Sequence, residues 1–187
     1  PPRDTLKLFV TAAEALRRTG MENPGKQMIL IRGWQTSTLL VKNGEFTADE
    51  IGAMRDFSRQ RAFDVAWYPG ISVDEPNRFN VLREPYLYRA AQALLGPHSH
   101  SFMDQYKFKL QPATDDRPYF HNFFKWSTFD EILALRGRGG LPLLEAGYPV
   151  LVATLLQALL ASTVLILLPL LFLNKAKRAG DPQAISR

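Results

Sequence analysis

At 27–41 the chain reads QMILIRGWQTSTLLV. Two β-rich runs, QMILIR at 27–32 and TSTLLV at 36–41, are separated by Gly33, Trp34 and Gln35, the pattern of an antiparallel hairpin. Asn43 and Gly44 then turn the chain. Upstream, Asp4 can cap a helix whose apolar positions Leu6, Phe9, Val10, Ala13 and Leu16 keep the helical period and which stops at Gly20. Downstream, Thr47 and Glu50 have capping-box spacing, opening a helix through Ile51, Met54 and Phe57 to about Arg61, and FDVAW at 63–67 reads as a further strand. Helices alternating with strands predict an α/β unit.

Beyond it, Pro69 and Gly70 open an irregular stretch to about Pro85. A loop of that length often borders a site. A short helix follows through Leu87, Ala91 and Leu94, closed by Gly96. KFKL at 107–110 alternates as a last short strand would, and Ser127 with Asp130 can start a helix that runs into the flexible linker RGRGG at 136–140. No internal repeat and no extended low-complexity segment is evident.

The length of 187 residues suits one soluble core plus an appendage. With no cysteine, disulfides, thiolate metal sites and cysteine nucleophiles are excluded. The net charge of +5 comes from basic residues interspersed with acids, without the concentrated basic face that nucleic acid favours, so no nucleic-acid partner is expected. Position 1 is Pro and no signal-peptide pattern opens the chain, which suggests a piece of a longer protein.

From Ala146 to Leu173 no side chain is charged, and the Leu-rich run exceeds the roughly 18 residues that mark a spanning helix. A lipid bilayer is therefore an expected partner. Pro149 falls where a first helical turn tolerates proline, and Pro169 is expected to kink or end the last turn. Thr154, Gln157, Ser162 and Thr163 can hydrogen-bond other transmembrane helices without preventing insertion. The expected organisation is a soluble domain at 1–135, a linker at 136–145, a transmembrane helix at 146–173 and a basic tail at 174–187.

The densest polar cluster is PATDDRPYF at 112–120. Two prolines restrict the backbone around Asp115, Asp116 and Arg117, so the charges are held rigidly. Adjacent carboxylates can receive an ammonium group, and the guanidinium can grip a ligand carboxylate in bidentate fashion. The alternative is an ordinary turn with an internal ion pair between Arg117 and one acid. His98 and His100 would project alike if extended, but only Asp104 is near enough in sequence to help them hold a metal, and none is expected. His121 beside aromatic residues reads as a packed or interfacial histidine. YFHNFFKW at 119–126 fits either a headgroup-level aromatic anchor or core packing. The glycines at 137–140 lack phosphate-loop spacing.

PPRDTLKLF at the start, IRGW and TLLV in the hairpin, FDVAWYPG, NRFN and above all TDDRPYF resemble bacterial membrane-anchored spermidine synthase-like proteins, over nearly the whole chain. The resemblance implies the C-terminal part of a class I S-adenosylmethionine-dependent transferase domain, a Rossmann-like sheet with the hairpin as its antiparallel edge, followed by transmembrane helices. It implies further that Asp115, Asp116 and Arg117 bind substrate, a small amine or other small-molecule acceptor. The location implied is the bacterial inner membrane, with the soluble part in the cytoplasm. Against that side stand Lys175, Lys177 and Arg178 after the apolar run, which outnumber Arg136 and Arg138 before it and by the positive-inside tendency put the C-terminus in the cytoplasm.

By the same resemblance the glycine-rich cofactor loop, the ribose-binding acid and the catalytic aspartate belong upstream of Pro1. The chain shows no nucleotide-binding glycine pattern of its own, so no cofactor-binding or catalytic residue is assigned within it. S-adenosylmethionine or its decarboxylated form is expected for the intact protein. Two functions follow as expectations: part of a transferase moving an aminopropyl or methyl group and inactive alone, or a non-catalytic membrane-linked binding module.

Overall fold

The computed structural model describes residues 2–128 and 143–179, with side chains in the second stretch described over 147–171. The chain divides into two compact units, Pro1–Phe129 and Asp130–Arg187.

In the first unit, helix α1 (Asp4–Arg18) leads through a short 3-10 turn at Pro24–Gln27 into β1 (Met28–Arg32) and β2 (Ser37–Val41). Helix α2 (Ala48–Gln60), β3 (Asp64–Trp67), α3 (Tyr86–Leu95) and α4 (Ser99–Gln105) follow. The strands form one sheet in the order β2-β1-β3, both pairs antiparallel. The predicted hairpin is present, with Met28 opposite Val41 and Arg32 opposite Ser37. On its other side β1 meets β3 with Leu30 opposite Trp67 and Ile31 opposite Val65, so the register shifts at a bulge beside Ala66. This is a mixed α/β unit around a small antiparallel sheet.

The central strand explains the layering. Met28, Ile29, Leu30 and Ile31 are all buried, because β1 is covered on both faces. Met28 and Leu30 pack with Leu6, Phe9, Val10 and Ala13 of α1 and with Leu87, Ala91 and Leu94 of α3. Ile29 and Ile31 pack with Met54 of α2 and with Tyr68. Thr47 and Glu50 form the reciprocal capping box that the sequence predicts, Glu50 N donating to Thr47 Oγ1 at 3.3 Å and Thr47 N to Glu50 Oε2 at 2.8 Å.

Three local expectations are corrected. Asp4 is the first helical residue, not the cap; Arg3 precedes it with no side-chain cap bond. The segment 107–110 is not a strand. Its alternation reflects half-burial, with Phe108 and Leu110 inward and a single backbone bond from Lys109 N to Phe123 O. HisSerHis is not extended either, since residues 99–105 form α4. His98 precedes α4 as its cap residue and His100 lies within it, and the two line different surface hollows, so they do not project alike.

In the second unit, helix α5 (Leu143–Ala179) contains a 25-residue stretch, Gly147–Leu171, that is long and apolar enough to cross a membrane, and its side chains are almost all exposed. The helix begins before Ala146, so Pro149 lies inside it and not in its first turn. Pro169 does not end it, because helical backbone continues to Ala179. Thr154 Oγ1 donates to Leu151 O of its own helix at 2.9 Å. The expected linker at 136–140 and the helix start at Ser127 and Asp130 fall largely outside the described residues; within them, Trp126–Thr128 is a 3-10 turn.

Candidate functional site

Residues 114–117 form a tight turn closed on itself. Arg117 N donates to Thr114 O at 2.9 Å, and Thr114 N donates to Arg117 O at 3.4 Å. Pro112 and Pro118 bracket the turn. Helix α1 fixes it from both sides. Before the turn, Thr11 Oγ1 donates to Lys7 O at 2.7 Å and accepts from Ala113 N at 3.3 Å. After it, Lys7 Nζ donates to Asn122 O at 3.0 Å and Tyr119 O at 3.4 Å.

Lys7 is 2 % exposed, an unusual setting for an ammonium group. It lies over the rings of Phe123 and Phe120, at 4.9 and 5.6 Å from their centroids. Burial, then repulsion from Lys109, lower its pKa to about 8, against an opposing pull from Asp4. Arg3 covers the Phe123 ring from a distance of 5.1 Å. Further on, Lys125 Nζ donates to Met103 O, Asp104 O and Tyr106 O, satisfying carbonyls at the end of α4. Burial lowers the Lys125 pKa as well. The aromatic stretch is thus divided: Phe123 is buried beneath Arg3 and Lys7, whereas Tyr119 and Trp126 are exposed.

The turn forms one wall of a cleft of about 420 Å³. Helix α1 contributes Glu14, Arg17 and Arg18, α4 contributes His100, and the turn contributes Asp116 and Arg117. Asp115 is exposed but does not line the cleft. Glu14 serves the α1 arginines, 3.2 Å from Arg18 Nε and 4.0 Å from Arg17 Nη1. Among the described residues, neither Asp115, Asp116 nor Arg117 forms a side-chain hydrogen bond or ion pair, so the internal pair expected of an ordinary turn is not made. His121 sits outside the cleft, 84 % exposed, with Nδ1 3.9 Å from Asp4 Oδ1. His98 lines a separate surface hollow with Gln92, away from the hollow that holds His100.

A second polar constellation has no counterpart in the sequence reading. Asp64 of β3 is buried, its Oδ2 2.7 Å from Arg32 Nη2. Its carboxylate also accepts from Arg78 N, Phe79 N and Asn80 N. Burial alone would raise its pKa, but those N–H groups and the Arg32 guanidinium outweigh it and hold the pKa below the ordinary value. Asn77 closes the loop locally, bonding both the N–H and the carbonyl of Leu82, and Arg32 also donates to Asn80 O. The acceptor positions of the Asp64 carboxylate are taken up by these groups, so it holds the 78–80 loop onto the sheet. Arg32 and Asp64 are 32 positions apart, and no local pattern links them.

Compared with known protein families, curated proteins and solved structures, the chain matches none.

Proposed function

We propose that this chain is the substrate-side portion of a membrane-anchored spermidine synthase-like transferase, with the turn of Asp115, Asp116 and Arg117 at the acceptor site and Asp116 and Arg117 on its wall. In this reading the intact protein moves an aminopropyl or methyl group from S-adenosylmethionine or its decarboxylated form to a small amine or related acceptor. The sheet is then the antiparallel edge of a Rossmann-like domain whose cofactor-binding strands lie elsewhere in the protein. Helix α5 ties the domain to the bacterial inner membrane beside other transmembrane helices, with the soluble part in the cytoplasm.

The observation that carries this reading is the unpaired state of Asp116 and Arg117 on the wall of a cleft large enough for a metabolite. Both side chains are exposed, and no other group of the described residues engages either of them. Leaving both open keeps charge-assisted bonds for a ligand. The resemblance in TDDRPYF and the flanking motifs supplies the reaction class.

The test is transfer by the intact protein from either donor form to a panel of amines, with Asp116→Asn beside the native residue. Loss of one charged hydrogen bond is expected to raise KM by the equivalent of about 1.5 to 3 kcal/mol with an unchanged melting temperature. A lowered melting temperature with unaltered kinetics would make the turn structural. Absence of transfer with every donor and acceptor removes the enzymatic reading and leaves a membrane-linked binding module.

A further inference from the structure

The charges around the cleft narrow the ligand further than an amine. Its wall groups comprise Glu14, Arg17, Arg18, Asp116 and Arg117, and Glu14 is engaged by both α1 arginines. Arg17 and Arg18 share the single charge of Glu14, and on the turn itself, which two backbone bonds close, one acid and one guanidinium stand on adjacent residues without a partner among the described residues. A ligand with only an ammonium group would meet Asp116 but bring its charge against Arg117. A simple carboxylate would meet Arg117 but face Asp116. Like charges in such proximity select against both. A group carrying both charges on neighbouring atoms satisfies both residues at once.

We infer that this cleft binds a small zwitterion with the ammonium and carboxylate of an α-amino acid, the ammonium on Asp116 and the carboxylate on Arg117. The inference rests on the proposal that the turn is a ligand site, and it names the ligand class. Asp115, which does not line the cleft, takes no part in it. Arg117 contributes through its planar fork, which a lysine cannot reproduce.

A matched set of probes tests this on the full chain in detergent micelles: L-norleucine, hexanoate, which lacks its ammonium, n-pentylamine, which lacks its carboxylate, and the diamine putrescine. Binding is read by calorimetry or ligand-observed NMR. L-norleucine is expected to bind about tenfold or more tightly than hexanoate or pentylamine, a difference of about 1.4 kcal/mol. Asp116→Asn should bring L-norleucine down to the level of hexanoate without weakening hexanoate. Arg117→Gln should bring it down to the level of pentylamine without weakening pentylamine, and Arg117→Lys should recover only part of the loss. Thermal melts of each variant matching the native chain show that the fold is kept. If pentylamine or putrescine binds as tightly as L-norleucine, the zwitterion is wrong and the amine acceptor stands. If L-norleucine binds as expected but the intact protein transfers nothing, the site stands and the transferase falls. No binding by any probe overturns the inference.

Discussion

Lys7 Nζ donates to the carbonyl oxygen of Asn122 at 3.0 Å, joining residues 115 positions apart and fastening the segment after the candidate turn onto α1. The ammonium group sits at a cost, since burial lowers its pKa to about 8 from the ordinary 10.5. Between these values the unfolded chain binds the proton more readily than the folded one. The cost is therefore fully present below about pH 8 and declines as pH rises toward the unfolded value. The denaturation midpoint of the native unit relative to Lys7→Met is expected to increase between about pH 7 and about pH 10. Subtracting the variant removes the other groups that titrate there. A difference that stays flat would mean that Lys7 is not charged and buried as described.

Asp64→Asn should be among the most damaging single changes. It leaves Arg32, itself mostly buried, without its counter-charge and weakens the grip on three backbone N–H groups, at a cost of about 3 to 5 kcal/mol. Because the folded pKa of Asp64 is depressed, its stabilising effect is present above the ordinary carboxylate value and disappears as pH falls through the folded one. The gap between urea titrations of the two proteins should begin to narrow below about pH 4 and close only at lower pH. A variant of native stability at neutral pH contradicts this account.

Two glycines should respond oppositely to alanine. A Cβ on Gly25 would lie 2.9 Å from Leu95 Cδ1 and 3.1 Å from Trp67 Cζ2, and Trp67 is held by its own bond from Nε1 to Gly25 O. Gly25→Ala is expected to cost about 1 to 3 kcal/mol. Within α2, a Cβ on Gly52 meets nothing within 4 Å, so Gly52→Ala should add about 0.5 to 1 kcal/mol through helix propensity. Melting temperatures moving in the same direction would refute the local packing.

Deleting 148–173 should release the chain from membranes, because Gly147–Leu171 supplies the apolar length that a bilayer requires. Sedimentation after a carbonate wash reads this directly. If the truncated chain still pellets, exposed Tyr119 and Trp126 become the suspected anchor. A reporter fused after Ala176 that is active only in the cytoplasm would reverse the proposed orientation.

The elements legible in the sequence are those whose signal is local. The apolar period of α1, the capping box before α2, the hairpin and FDVAW are each encoded within a few residues, and each is present. Helix α4 escaped because SHSFMDQ is short and only Met103 is buried. At 107–110 the alternation of a strand and one-sided burial without a ladder produce the same pattern, and the latter is present. The turn at 114–117 was visible as a charged, proline-bracketed motif. Its cleft was not, because Glu14, Arg17 and His100 come from elements far along the chain. The membrane-length helix was the plainest feature, though its prolines proved compatible with continued helix.

Burial of β1 on both faces has a consequence for how the sheet avoids misassembly. In most half-buried strands a slip of one residue turns polar side chains inward, and that penalty alone keeps the partners aligned. MetIleLeuIle offers no such penalty, since either face would present apolar groups to a helix layer. Discrimination then falls to the ends of the strand. Arg32 stands opposite Asp64 in the native alignment, and any slip parts two charges that are costly to bury singly. The ion pair acts as a proofreading contact, penalising wrong alignments more than it strengthens the right one.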